Sequence, residues 1–263
     1  MRQMWTIFKK EMWQFFAAPG SYAILAVFLA TSGFFFYNIA SYFAMQSMQA
    51  IQYQTAYNIP LPPMSVNQWV VRPFFHNLAI LAIFLIPILT MRSYAAERAS
   101  GTVELLLTSP MRTSHLICAK TIAGLALYLC MIAATLLFQL ILHGFTPQGL
   151  DWGPVWSGYI GLFALGLATI PLCQFISSLT KNQIIAAFLS FALLLILWIV
   201  DWSTLFATGA LSKILGYIGL SSHFGNFARG VLDTSDIVYF VSLAVLGVFM
   251  THQSVESWRW RGV

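Results

Sequence analysis

Charge is scarce in this chain. Asp, Glu, Lys and Arg supply only 8% of its 263 residues, against about a quarter in soluble globular proteins. So few charges cannot clothe a water-exposed surface, and the 59% hydrophobic and 16% aromatic content belongs to an integral membrane protein. Ionisable residues are missing from the middle of the long apolar runs, where the deep polar residues are Gln139, Gln174 and a few Ser and Thr. Ion-coupled and proton-coupled transporters keep such costly groups inside their spans to carry the coupling ion. Any driven process here therefore takes its energy from outside the membrane.

Catalytic signatures are missing as well. There is no Walker A sequence and not even a Gly-Lys pair, which excludes a P-loop cradle for nucleotide phosphate within this chain. His-Glu-x-x-His, Gly-x-Ser-x-Gly and paired acids within a span do not occur, so the chain reads as non-enzymatic and as holding no cofactor of its own. The three cysteines, Cys118, Cys130 and Cys173, sit in or beside apolar runs without zinc or redox spacing and read as small buried residues. His76, His115, His143, His223 and His252 are scattered near span ends and loops, as interface residents rather than metal ligands. The thirteen basic residues form no arm and do not alternate with aromatics, which argues against nucleic acid. Met1–Phe16 interleaves charges with bulky aromatics, unlike a cleavable signal peptide, so the first membrane helix is expected to be the targeting signal.

What is present is a set of six runs long enough, or nearly so, to cross a hydrocarbon core of about 30 Å. They are Tyr22–Phe43, Phe74–Met91, Leu116–Leu142, Ser157–Leu179, Ile184–Val200 and Ile237–Thr251; the last two are short and should borrow flanking residues. With both termini cytoplasmic, ten of the thirteen basic residues fall inside or at the inner border, and only Arg72, Lys213 and Arg229 fall outside. The positive-inside rule favours that orientation. The expected fold is all-α: a single polytopic domain over 1–263 with six transmembrane helices.

The remaining segments have distinct roles in this reading. On a helical wheel Met1, Met4, Trp5, Phe8, Met12, Phe15 and Phe16 share one arc, which predicts an interfacial helix over 1–18 whose basic residues suit anionic lipid. Pro19-Gly20 breaks it. Residues 44–73, with one charge and Pro60-Leu61-Pro62-Pro63, form an outward segment, part helical and part extended. Pro87 and Pro171 fall within spans, where the bundle tolerates the lost donors. Residues 201–236 mix Lys213, His223, Arg229 and Asp233 with apolar stretches, as suits short helices that dip into the outer leaflet and return. The tail Glu256-Ser257-Trp258-Arg259-Trp260-Arg261 is an interfacial anchor.

Residues 92–115 stand apart. Glu97-Arg98-Ala99-Ser100-Gly101-Thr102-Val103-Glu104-Leu105-Leu106-Leu107-Thr108-Ser109-Pro110 is too polar to cross a bilayer, and its apolar side predicts a short surface helix offered to a cytoplasmic partner. Glu11 joins this charged zone only if the amino-terminal helix folds back.

The pattern Glu97-Arg98-x-x-Gly101-Thr102-x-Glu104-Leu105-Leu106-x-x-x-Pro110 resembles the signature loop of ABC type-2 exporter permeases. Ser177–Ile184 and His223–Phe240 are similar to the subset of gliding-motility-type ABC permeases. The likeness covers nearly the whole chain. It implies a half-transporter in a bacterial inner membrane that pairs with a second copy or a related permease and docks two copies of a separate ABC ATPase, which binds ATP and Mg. It further implies that the loop after the second span is the coupling helix: Gly101 and Thr102 start it, Glu104 faces a basic or polar groove, Leu105 and Leu106 anchor in an apolar cleft, and Pro110 ends it. The other function class left open is a mechanotransmission or assembly subunit that acts on a periplasmic partner without moving substrate.

Overall fold

The structure, a computed structural model, describes residues 2–57, 64–102, 112–146, 149–205 and 209–261. Among them every element is helical, and six helical stretches are long and apolar enough to cross a membrane: Pro19–Tyr57, Asn67–Ala99, Thr113–Phe145, Trp152–Leu179, Gln183–Trp202 and Thr234–Trp258. All six expected spans are recovered, each within a longer helical stretch.

Helix α1 (Arg2–Ala17) stops at Ala18, and α2 (Pro19–Tyr57) begins on a proline. Proline is tolerated there because the first helical N–H has no partner in any case. The face that α1 turns to the bundle carries Met4, Ile7, Glu11 and Phe15, while Trp5, Trp13 and Phe16 are exposed. Ile7 lies outside the arc expected from the sequence. Helix α2 runs on through Tyr57 because Gln, Met and Ala sustain a helix as well as Leu does. The outward segment is thus helical to Tyr57, and a π turn over Asn67–Val71 leads into α3 (Arg72–Thr90). After Met91 the chain resumes as α4 (Arg92–Ala99).

The third span is α5 (Thr113–Ala134) and α6 (Leu136–Phe145), interrupted at Thr135. Helix α7 (Trp152–Leu179) is capped by Asp151, whose Oδ1 accepts from Gly153 N at 3.0 Å, and α8 (Gln183–Ile199) by Asn182, whose Oδ1 accepts from Ile184 N at 2.9 Å. Each cap satisfies an orphan N–H at a helix start. A 3-10 turn (Val200–Leu205) and the short helices α9 (Ala210–Ile218) and α10 (Leu220–Ala228) precede α11 (Thr234–Arg261). As expected, the last span borrows flanking residues at both ends.

The core is built on α3 and α7, the two spans most covered by protein, whereas α2 and α8 are largely uncovered. The most extensive helix contact is between α7 and α11. It depends on Gly247: a Cβ there would stand 2.7 Å from Leu172 N and 2.9 Å from Pro171 C. Glycines serve the same close approach elsewhere, Gly158 against the Phe75 ring and Gly161 against Phe227. The α9–α10 pair is pinned by Phe224 and Phe227, both fully buried, and by a polar knot. In that knot Asp236, at the start of α11, meets His223 Nδ1 at 2.5 Å and accepts from Asn226 Nδ2 at 2.9 Å.

Candidate functional site

Both chain ends lie at one end of the bundle, and the charged segment that follows α3 lies there with them. Its elbow is made by one hydroxyl. Breaking the helix at Met91 leaves backbone groups without intrahelical partners. Ser177 Oγ on α7 accepts from Tyr94 N and Ala95 N, both at 3.2 Å, and donates to Met91 O at 2.9 Å. Tyr94 is then buried against Ile117, Val255 and Trp258, its ring 6.1 Å from the Trp258 ring.

Lys120, one residue past the second turn of α5, ties this elbow to the amino-terminal helix. Its Nζ donates to Glu11 Oε1 at 2.8 Å, Glu97 Oε1 at 2.9 Å and Ser93 O at 2.7 Å, so the three donors of the ammonium are all used. The Tyr94 ring lies 5.2 Å from the same nitrogen, and Lys10 adds a looser contact to Glu97 at 3.8 Å. With its side chain only 2% exposed, Lys120 would be a costly buried charge without these partners. The amino-terminal helix does fold back, and Glu11 is the residue that holds it.

Arg98 makes the second tie. Its Nη1 donates to Ser178 O at 2.9 Å, and its guanidinium lies 5.1 Å from the centre of the Trp258 ring. Ser178 Oγ in turn donates to Ser254 Oγ at 2.7 Å. Helix α4 then closes: Ser100 N bonds Ala96 O at 3.0 Å, Gly101 takes φ 71°, the left-handed position that glycine occupies at helix ends, and Thr102 Oγ1 donates back to Glu97 O at 3.3 Å.

Of the residues expected to form a partner-binding element, Glu97 and Arg98 thus have their charged groups in internal bonds, and Gly101 and Thr102 are exposed. Glu104, Leu105, Leu106 and Pro110 lie outside the described residues. Tyr94 carried no expectation from sequence, and Ser177, Trp258 and Lys120, though they lie in or beside quoted motifs, were not expected to meet at this junction. The available signal was Lys120 itself, a cation inside an apolar run, where a buried carboxylate partner is the normal requirement. Chemically the arrangement holds helices together: the lysine is saturated and offers no free nucleophile. Among the described residues no group of three His, Cys, Asp or Glu is placed to hold a metal ion.

Residues 5–250 match the model of a family described as ABC-2 family transporter protein. No curated protein matches the chain.

Proposed function

The chain belongs to the ABC-2 family of transporter proteins and is a multi-pass membrane permease subunit whose ATPase is a partner chain; on that premise we propose that it is the transmembrane half of an exporter. The end of the bundle that carries both termini faces the cytoplasm of a bacterial cell, across the inner membrane. The loop 92–115 is the coupling element, with Gly101 and Thr102 at the start of its docking helix, Glu104, Leu105 and Leu106 in contact with the ATPase and Pro110 at its end. Two ATPases, holding ATP and Mg, act on two permease chains, which are identical or related. The likeness of Ser177–Ile184 and His223–Phe240 to gliding-motility-type permeases narrows the subset.

One observation carries this reading. The coupling segment follows α4 in the sequence, and α4 is bonded to α1 and α5 through Lys120 and to α7 and α11 through Ser177, Arg98 and Ser178. A push on the segment is thereby delivered to four helices at once. The test is co-purification of the ATPase with Leu105→Asp and Glu104→Lys. An apolar anchor or a buried interface charge is worth about 2 kcal/mol or more, so both variants should lose the partner and stay monodisperse. Partner retention at wild-type level in both would remove the coupling assignment.

A second reading, force transmission to a partner across the membrane, has its own support. Helix α2 spans 39 residues, about 58 Å at 1.5 Å per residue, close to twice the hydrocarbon thickness. Its last turns therefore stand clear of the bilayer on the side away from the termini.

A further inference from the structure

A cleft of about 760 Å³ lies between α1, the first turns of α2, the end of α3 and α4. Its lining changes with depth. Lys10, Gln14, Arg92 and Gln183 line the level of the charged elbow, while Phe15, Ile24, Ile88 and Leu89 line it about one turn further into the spans. Beyond them a smaller recess of about 60 Å³ shares Phe15, Ser21, Ile24 and Leu89 and continues along Leu25, Leu127 and Met131. A polar mouth at the membrane boundary thus leads to an apolar passage that points into the bilayer.

The mouth carries an unbalanced positive charge. Three cations line it, Lys10, Arg92 and Lys120, against two anions, Glu11 and Glu97. Lys120 engages both carboxylates directly. Arg92 uses only its Nε, on Gln183 Oε1 at 3.3 Å, and its two terminal nitrogens meet no partner among the described residues. A planar guanidinium with free donors matches phosphate oxygens.

We propose that this cleft binds an anionic membrane phospholipid, with its phosphate on Arg92 and Lys10 and one acyl chain along Ile24 and Leu89 toward Leu127. Charge complementarity selects the anionic head over a zwitterionic one. The apolar passage selects a lipid over a free phosphate, which would leave Ile24, Ile88 and Leu89 uncovered. The assignment is a ligand site within this chain and holds whether or not the chain exports cargo.

The experiment uses the purified full chain with a photoactivatable phosphatidylglycerol that carries its reactive group midway along one acyl chain. Label should map to the peptides containing Ile24 and Leu89. Arg92→Gln, which keeps an amide beside Gln183 and removes the charge, should lower labelling about tenfold, the factor expected for one charge-assisted hydrogen bond. Ser21→Phe, which narrows the passage between cleft and recess, should lower it without touching the cations. Unlabelled phosphatidylglycerol should compete, phosphatidylcholine should compete poorly, and inorganic phosphate should not compete. Equal competition by both lipids, or labelling indifferent to both substitutions, would mean only bulk lipid contact and overturn the proposal. Competition by inorganic phosphate as strong as by lipid would mean a head-only site and overturn it equally.

Discussion

Replacing Lys120 with methionine leaves an unbranched side chain one atom shorter and deletes its charge. Glu11 Oε1 and Glu97 Oε1 lie 2.8 and 2.9 Å from the lysine nitrogen, so the two oxygens are at most about 5.7 Å apart. At an effective dielectric constant of about 20, two unit charges at that separation repel by roughly 3 kcal/mol. The hydrogen bond to Ser93 O is lost as well. Breaking a buried ion pair by removing one partner costs about 3–5 kcal/mol, and K120M should lose an amount in that range. Domains are stable by only about 5–15 kcal/mol, so this is a large fraction. Denaturant unfolding in mild detergent gives the magnitude, and hydrogen exchange across α1 shows where the loss falls. Protection of α1 should collapse first, because Glu11 makes its closest charged bond to the bundle, the Lys10–Glu97 pair at 3.8 Å being looser and more exposed. Adding Glu11→Gln and Glu97→Gln to K120M should restore at least half of the loss by removing the repulsion. If K120M unfolds within about 1 kcal/mol of the wild type with α1 fully protected, the ion triad does not hold the junction.

Three further outcomes are expected. Gly247→Leu forces a side chain into the backbone of Pro171 and Leu172 and should cost about 1–3 kcal/mol, read as a fall in thermal midpoint; an unchanged midpoint would mean that α7 and α11 are not packed at that point. Asp236→Ala removes the acceptor shared by His223 and Asn226 and should raise hydrogen exchange in α9 and α10, whereas Asp233→Ala, at a site that only caps Ser235 N, should change it little; equal effects would refute the knot. In sealed vesicles a cysteine at Ser100 should be labelled only from the side of the termini and one at Ser65 only from the other, and labelling of both from one side would invert the topology.

The six spans were legible because lipid enforces them: a helix that must satisfy every backbone group while crossing about 30 Å needs a long apolar run. Their ends were less so. Nothing in Ala44–Tyr57 stops a helix, so apolarity marked the exit of α2 from the bilayer and not its termination. Thr135 interrupts the third span, and its hydroxyl bonds Ile132 O and meets Tyr159 Oη; a threonine in an apolar run gives no warning of that. At the charged end, counting basic residues does not reveal pairing. Lys120 meets a carboxylate 109 residues away, and only tertiary packing decides that it is Glu11. His223 and Asp236 were visible as members of one motif, but their contact needs the turn between α10 and α11. The expected surface helix at Glu104–Leu107 lies outside the described residues.

The position of Gly247 has a mechanical consequence. It is the fourteenth of the 28 residues of α11, so arms of about 20 Å extend to either side. At that midpoint the helix rests on the backbone of Pro171 and Leu172, and Thr251 Oγ1 reaches Pro171 O at 3.4 Å. One arm ends in the Asp236 knot, and the other passes Ser254 and Trp258 beside Arg98. Were the helix to rock on that close contact, a sideways step of Trp258 would return at Asp236 with similar size and opposite direction, and the α9–α10 pair would swing against a motion imposed on α4.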